Sequence, residues 1–221
     1  MPRTRSIRIG ILVASTLIAA ASLVYILRPN GASTCTVVLI DTAGIRCGDL
    51  LFRNGNGVES RVVTGMSNGE YSHIAIAHKG PEGWMAIHAV PGETEKHSDT
   101  DYLKVEPIED FYKHERARSG AIARVRCSNE TAMEAVKYAL DKVERKFAFD
   151  HDYKLADTSE YYCTELIYHA YLTQGIDLAE DRRHELPMPG TEGFFIFPSD
   201  ILNSKHIETV KQLSTASFTN P

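Results

Sequence analysis

Three residues could do chemistry in this sequence: Cys163, His73 and His88. Cys163 stands near the start of "SEYYCTELIYHAYL", Ser159–Leu172. Cys163, Leu166, Ile167, Ala170 and Tyr171 recur at the spacing of one helix face, so the cysteine has a bland reading as a small core residue. Its position supports a second reading. Asp157, Thr158, Ser159 and Glu160 are cap and first-turn types, which would place Cys163 where unpaired N–H groups and the positive dipole end favour a thiolate. A nucleophilic thiol also needs a base. "YSHIAIAHK" at Tyr71–Lys79 and "WMAIHAV" at Trp84–Val90 alternate apolar and polar residues around "GPEG", which is a hairpin pattern. With the turn centred between Gly80 and Pro81, His73 stands directly opposite His88 on one face. One imidazole would take the thiol proton, and the other would fix its tautomer and orientation.

The same three residues could hold zinc, but no paired metal spacing supports that, so neither a metal nor a cofactor is expected. Cys35, Cys47 and Cys127 lack such spacing too. Cys47 with Cys127 could form a disulfide in an oxidising compartment, or both could be simple thiols. The other histidines read as structural. "NGNG" at Asn54–Gly57 is a flexible turn without the strand–helix setting of a phosphate loop.

The elements that must position these groups follow from periodicity. "CTVVLI", "GDLLFR" and "GAIARVR" are strand-like, Asn129 opens a helix-patterned segment running to Phe147, and the Cys163 helix ends at Gly175. "FFIFPSDI" adds a short strand and turn before a polar end expected to fray. Strands in the first half and helices in the second predict an α+β domain, with an antiparallel sheet packed against helices.

The chain has 221 residues and a formal net charge of −5. Its size suits one globular domain with extra segments, and the acidic balance argues against a nucleic-acid partner. Arg3, Arg5 and Arg8 precede an uncharged run, Ile9–Leu27. As a helix it would span about 28 Å, near the thickness of a bilayer core. The expectation is a transmembrane anchor in a bacterial inner membrane, with the domain facing the periplasm; the alternative is a cleaved signal helix and a secreted or periplasmic domain. The expected organisation is an N-terminal anchor or signal segment with linker over 1–34, a catalytic domain over 35–210 and a polar tail over 211–221. The oligomeric state stays open.

"GDLLF" at Gly48–Phe52, "YSHIAIA" at Tyr71–Ala77, "AIHAVPG" at Ala86–Gly92 and "YYCTELIYHAY" at Tyr161–Tyr171 resemble the YiiX/YebB-like cysteine hydrolases. These form a circularly permuted branch of the NlpC-type papain-like superfamily, in which histidine precedes cysteine. Lecithin:retinol acyltransferase-like enzymes share that permuted layout. The resemblance implies a permuted papain-like fold, with Cys163 as nucleophile, His73 as base and His88 in the third position, where many relatives carry Glu. It implies a thiol hydrolase of amides or esters. The anchor favours a lipid-linked substrate; the alternatives are a cell-wall peptide substrate, or an inactive envelope binding module.

Overall fold

The computed structural model describes residues 34–93, 100–153, 155, 159–185 and 194–219. The chain divides into two units, Met1–Cys35 with Phe218–Pro221, and Thr36–Ser217; the second carries the sheet and helices that follow. No helix among the described residues is long and apolar enough to cross a membrane. Ile9–Leu27, the segment assigned that role, lies outside the described residues. The transmembrane or signal helix in the expected fold, the membrane partner, the inner-membrane topology and the periplasmic placement all rested on that segment. They are therefore withdrawn.

The scaffold is a six-stranded antiparallel sheet. Its strands are β2 (Leu50–Asn54), β3 (His73–Gly80), β4 (Gly83–His88), β5 (Lys104–Pro107), β6 (Ser119–Val125) and β11 (Ile207–Gln212), in the order β11-β6-β2-β3-β4-β5. Six more strands among the described residues lie outside it, in three pairs: β1 (Thr34–Val38) with β12 (Thr215–Thr219), β7 (Ala148–Phe149) with β8 (Glu160–Tyr161), and β9 (His184–Glu185) with β10 (Phe194–Phe195). The stretch expected to fray after the last turn instead contains β11, which closes one sheet edge against β6.

Side-chain alternation gives the sheet two unlike faces. Leu50, Phe52, Ile74, Ile76 and Ile87 point to one and join a core with helices α3 (Asn129–Glu144) and α4 (Cys163–Leu172). Leu51, Ala75, Ala77 and Ala86 point to the other, where they meet the short helix α2 (Ile108–Phe111). Gly48 shows how closely α3 and α4 approach β2. Its φ is +88°, a Cβ there would lie 2.6 Å from the Ala132 Cβ, and the Tyr171 hydroxyl donates to its carbonyl at 2.5 Å.

Two of the elements that the sequence reading did not anticipate bear on the site. Helix α1 (Val58–Ser67) follows the "NGNG" turn and buries none of its residues. It has no complete apolar face to announce it, only Val58, Val62 and Met66, which remain exposed. Strand β5 was also missed: its alternation is only four residues long and ends at Pro107.

Candidate active site

The hairpin turn sits one residue later than expected. Gly80 pairs with Gly83 around Pro81 and Glu82, so Ala75, not His73, is the direct partner position of His88 in the ladder. A two-residue change of register preserves the face, because side chains alternate with period two. His73 and His88 are therefore diagonal neighbours, and diagonal side chains still meet. His73 Nε2 lies 2.8 Å from His88 Nδ1, with the rings edge-on at 5.0 Å between centroids. Phe111 packs against both imidazoles, and the Arg53 guanidinium lies over its ring at 4.6 Å.

The pairing extends one step further. His88 Nε2 lies 3.0 Å from Glu106 Oε1 on β5. Glu106 Oε2 accepts from Arg116 at 2.7 Å and pairs with Lys104 at 3.1 Å. Lys104 also donates to Glu93 at 2.8 Å, and Glu93 takes Arg53 at 2.5 Å. Three cations thus surround two carboxylates beside two buried imidazoles. Glu106 was not singled out in the sequence: Leu103, Lys104, Val105 and Glu106 alternate, but so short a run ending at Pro107 does not announce a strand.

Burial governs the protonation of this group. It lowers His88 to about 4, against the opposing pull of Glu106. Burial, the Arg53 cation and His88 hold His73 well below the ordinary histidine range. For Glu106, burial would raise the carboxyl, but His88, Lys104 and Arg116 outweigh it and keep it well below the usual carboxylate range. Both imidazoles are neutral and the carboxylate is ionised.

Cys163 approaches from the helical side. Its helix begins at Cys163 itself, with Tyr162 as an extended N-cap, later than the expected cap residues. Ser159 and Glu160 precede that start, Glu160 within β8; Asp157 and Thr158 lie outside the described residues. The helix start is held from three sides. Tyr162 stacks on Phe195 at 4.6 Å, its N–H donates to Glu165 at 3.3 Å, and the Thr164 hydroxyl donates to the Ile196 carbonyl at 2.5 Å. The expected thiolate is corrected here. Burial pushes the thiol up to about 11, and the backbone N–H groups of Ile74 and Thr164 only partly offset it. Cys47 and Cys127 are free thiols, as is Cys163.

Cys163 and His73 line one cavity of about 440 Å³. Its lining includes the charged residues Arg53, Glu59, Glu93, Glu115 and Arg116 and the apolar side chains Val63, Phe149, Tyr153 and Phe195. A mostly apolar groove of about 190 Å³ adjoins it. It shares Glu59, Val63, Tyr153 and Phe195 with the cavity and adds Val58, Val62, Met66 and Phe197.

Comparison with solved structures finds the crystal structure of metalloprotein YiiX from Escherichia coli O157:H7. It is 14% identical, with a TM-score of 0.58 over 80% of this chain and 98% of that one. The likeness shows a shared fold. The word metalloprotein describes that protein; among the described residues here, no group of three or more His, Cys, Asp or Glu could hold a metal ion. Three of the four ring nitrogens of His73 and His88 are already engaged in the contacts to one another and to Glu106. Comparison with curated protein sequences finds no significant match. A family model described as permuted papain-like amidase enzyme, YaeF/YiiX, C92 family, matches residues 44–185. That span covers more than half of the chain and makes it an enzyme of the cysteine hydrolase class. It contains the whole hairpin and the Cys163 helix, and on that ground the chain belongs to the permuted papain-like amidases of the YaeF/YiiX family.

Proposed function

We propose that the protein hydrolyses an amide bond through Cys163, with His73 as general base and His88 as the residue that orients it. The observation carrying this reading is the opening of Cys163 and His73 on one cavity, while His73 Nε2 is held 2.8 Å from His88. With Nε2 engaged, Nδ1 is the nitrogen left for the thiol. A thiol near 11 beside a neutral imidazole is no resting ion pair. Proton transfer to His73 therefore accompanies attack of sulfur on the carbonyl carbon. Backbone N–H groups at the start of α4, including that of Cys163, stabilise the oxyanion. The C–N bond breaks as His73 returns the proton to the leaving amine. Water, deprotonated by the same imidazole, then releases the acid and restores the thiol.

The substrate is a peptide-type amide. Arg53, Glu93, Glu115 and Arg116 give the cavity ionic partners of both signs, which suit a zwitterionic or charged peptide better than a hydrocarbon. A second reading, an N-acyl amide, is favoured by the apolar groove that leaves the same cavity. Turnover of charged peptide amides and of N-acyl amides of increasing chain length distinguishes them. On the peptide reading, added methylenes change kcat/KM little; on the acyl reading each raises it by up to about fourfold. If Cys163→Ala cleaves either series at the native rate, the thiol mechanism is lost.

A further inference from the structure

We infer that Glu106 is a positioning residue that sets the tautomers of both histidines and so places the base's free lone pair on His73 Nδ1. The inference rests on the reading of His73 as the base, but its geometry begins at the opposite end of the chain of contacts. Glu106 is an ionised carboxylate and can only accept. At 3.0 Å, His88 Nε2 must therefore carry the proton in that bond. A neutral imidazole protonated at Nε2 has its lone pair at Nδ1, so His88 Nδ1 accepts. The atom 2.8 Å from it, His73 Nε2, must then be the donor. One tautomer remains for His73: protonated at Nε2, with the lone pair on Nδ1. A single carboxylate thus determines the proton position on a ring two contacts away.

The surrounding charges fix the direction of this chain. Arg116 and Lys104 hold the other oxygen of Glu106 at 2.7 and 3.1 Å. A donor in place of that oxygen would face two cations, so that side of residue 106 must carry an acceptor. The arrangement also answers the absence of a carboxylate at the His88 position. The negative charge is present one strand further out, and His88 relays its effect to His73. When His73 takes the thiol proton, its Nε2–H already points along a path ending in that charge, and no proton needs to move through His88.

Glu106→Gln makes the logic testable, because the amide must choose an orientation. Its oxygen will face Arg116 and Lys104, so its NH₂ will face His88. His88 Nε2 then becomes an acceptor, His88 Nδ1–H donates to His73 Nε2, and the His73 proton moves to Nδ1, where it blocks the thiol. Long-range ¹H–¹⁵N spectra of histidine-labelled protein read the tautomers directly in the resting enzyme. The expected result is Nε2–H on both rings in the native protein and Nδ1–H on both in Glu106→Gln. The variant's kcat should fall by about 10²–10⁴-fold, the range in which a wrong-tautomer base operates, with KM nearly unchanged. Glu106→Asp, which keeps the charge, should retain the native tautomers and part of the rate. An Nδ1–H signal for His73 in the native protein overturns the inference without any variant, so a failure of Glu106→Gln to fold leaves it testable. Native tautomers in folded Glu106→Gln overturn it equally. These spectra require no substrate, so their outcome is independent of whether Cys163→Ala and His73→Ala abolish turnover, the test on which the thiol mechanism itself depends.

Discussion

The two faces of the sheet use the same strands for opposite purposes. The face under α3 and α4 is continuous hydrocarbon and aromatic surface, including Leu50, Phe52, Ile74, Ile76 and Ile87, and it shares one core with Leu166 of α4, all fully buried. On the other face the apolar run is broken by Arg53, His73, His88 and Glu106, each nearly buried and each on a different strand from β2 to β5. Burial stabilises the fold on the first face. On the second it displaces protonation equilibria, and the ion pairs and hydrogen bonds around the histidines offset the cost of desolvation. The comparison teaches that stability and reactivity are divided by side-chain parity along single strands. Cys163 reaches the reactive side because it begins its helix beside Ile74, at the end of β3 where His73 also stands.

Substitutions should separate the two faces, and the largest effect belongs to the reactive groups. Cys163→Ala and His73→Ala should each lower turnover of any accepted amide by at least about 10³-fold, and the double variant should be little worse than either. Steady-state rates on folded protein measure this; additive losses would mean that the two groups do not act together. His88→Ala should be slower by about 10²-fold with substrate binding largely kept. A drop confined to KM would instead make His88 part of the binding surface.

Lesions on the helical face should behave the other way. Ile76→Ala or Leu166→Ala should cost about 2–5 kcal/mol of unfolding free energy, while kcat per folded molecule stays within about threefold. Urea titration paired with active-site counting tests this, and a large kcat loss at unchanged stability would erase the distinction between the faces.

Two smaller effects concern protons. His73 and His88 are neutral when folded and titrate near 6.5 when unfolded, so the unfolded chain binds more protons below that pH. Stability is complete above about 6.5 and falls as the pH drops toward the folded value of about 4 for His88. By pH 5 that residue alone should remove about 2 kcal/mol. An unfolding midpoint that stays constant between pH 7.5 and 5 would contradict the buried neutral pair. Finally, alkylation of Cys163 by iodoacetamide should be slow at pH 7 and keep rising toward pH 11, beyond the point where an ordinary thiol levels off. A fast, pH-independent rate near neutrality would restore the resting thiolate.

Much of this was legible in the sequence because it depends on local period. Alternation put His73 and His88 on one face, and that survived a turn displaced by one residue, since the ladder moved by two. The helical stripe placed Leu166, Ile167 and Ala170 in the core. What could not be read depends on longer-range competition. Glu106 acquires its place only when β5 pairs with β4, and four residues ending in proline announce no such strand. The charge state of Cys163 required weighing a helix terminus against desolvation, and desolvation outweighs the backbone N–H groups that favour the thiolate.

The order of these residues along the chain has a consequence for synthesis. Arg53, His73, His88 and Glu106 all precede Cys163. At about 5–20 residues per second, the roughly 60 residues between Glu106 and Cys163 take on the order of 3–12 s to add. During that interval a nascent chain carries the proposed base, His73, and its supports but not the proposed nucleophile, Cys163. Strand β11, which flanks β6 at the sheet edge, emerges later still. A ribosome stalled anywhere in this interval therefore holds a chain without Cys163, and on the proposed mechanism an interrupted product attacks no amide.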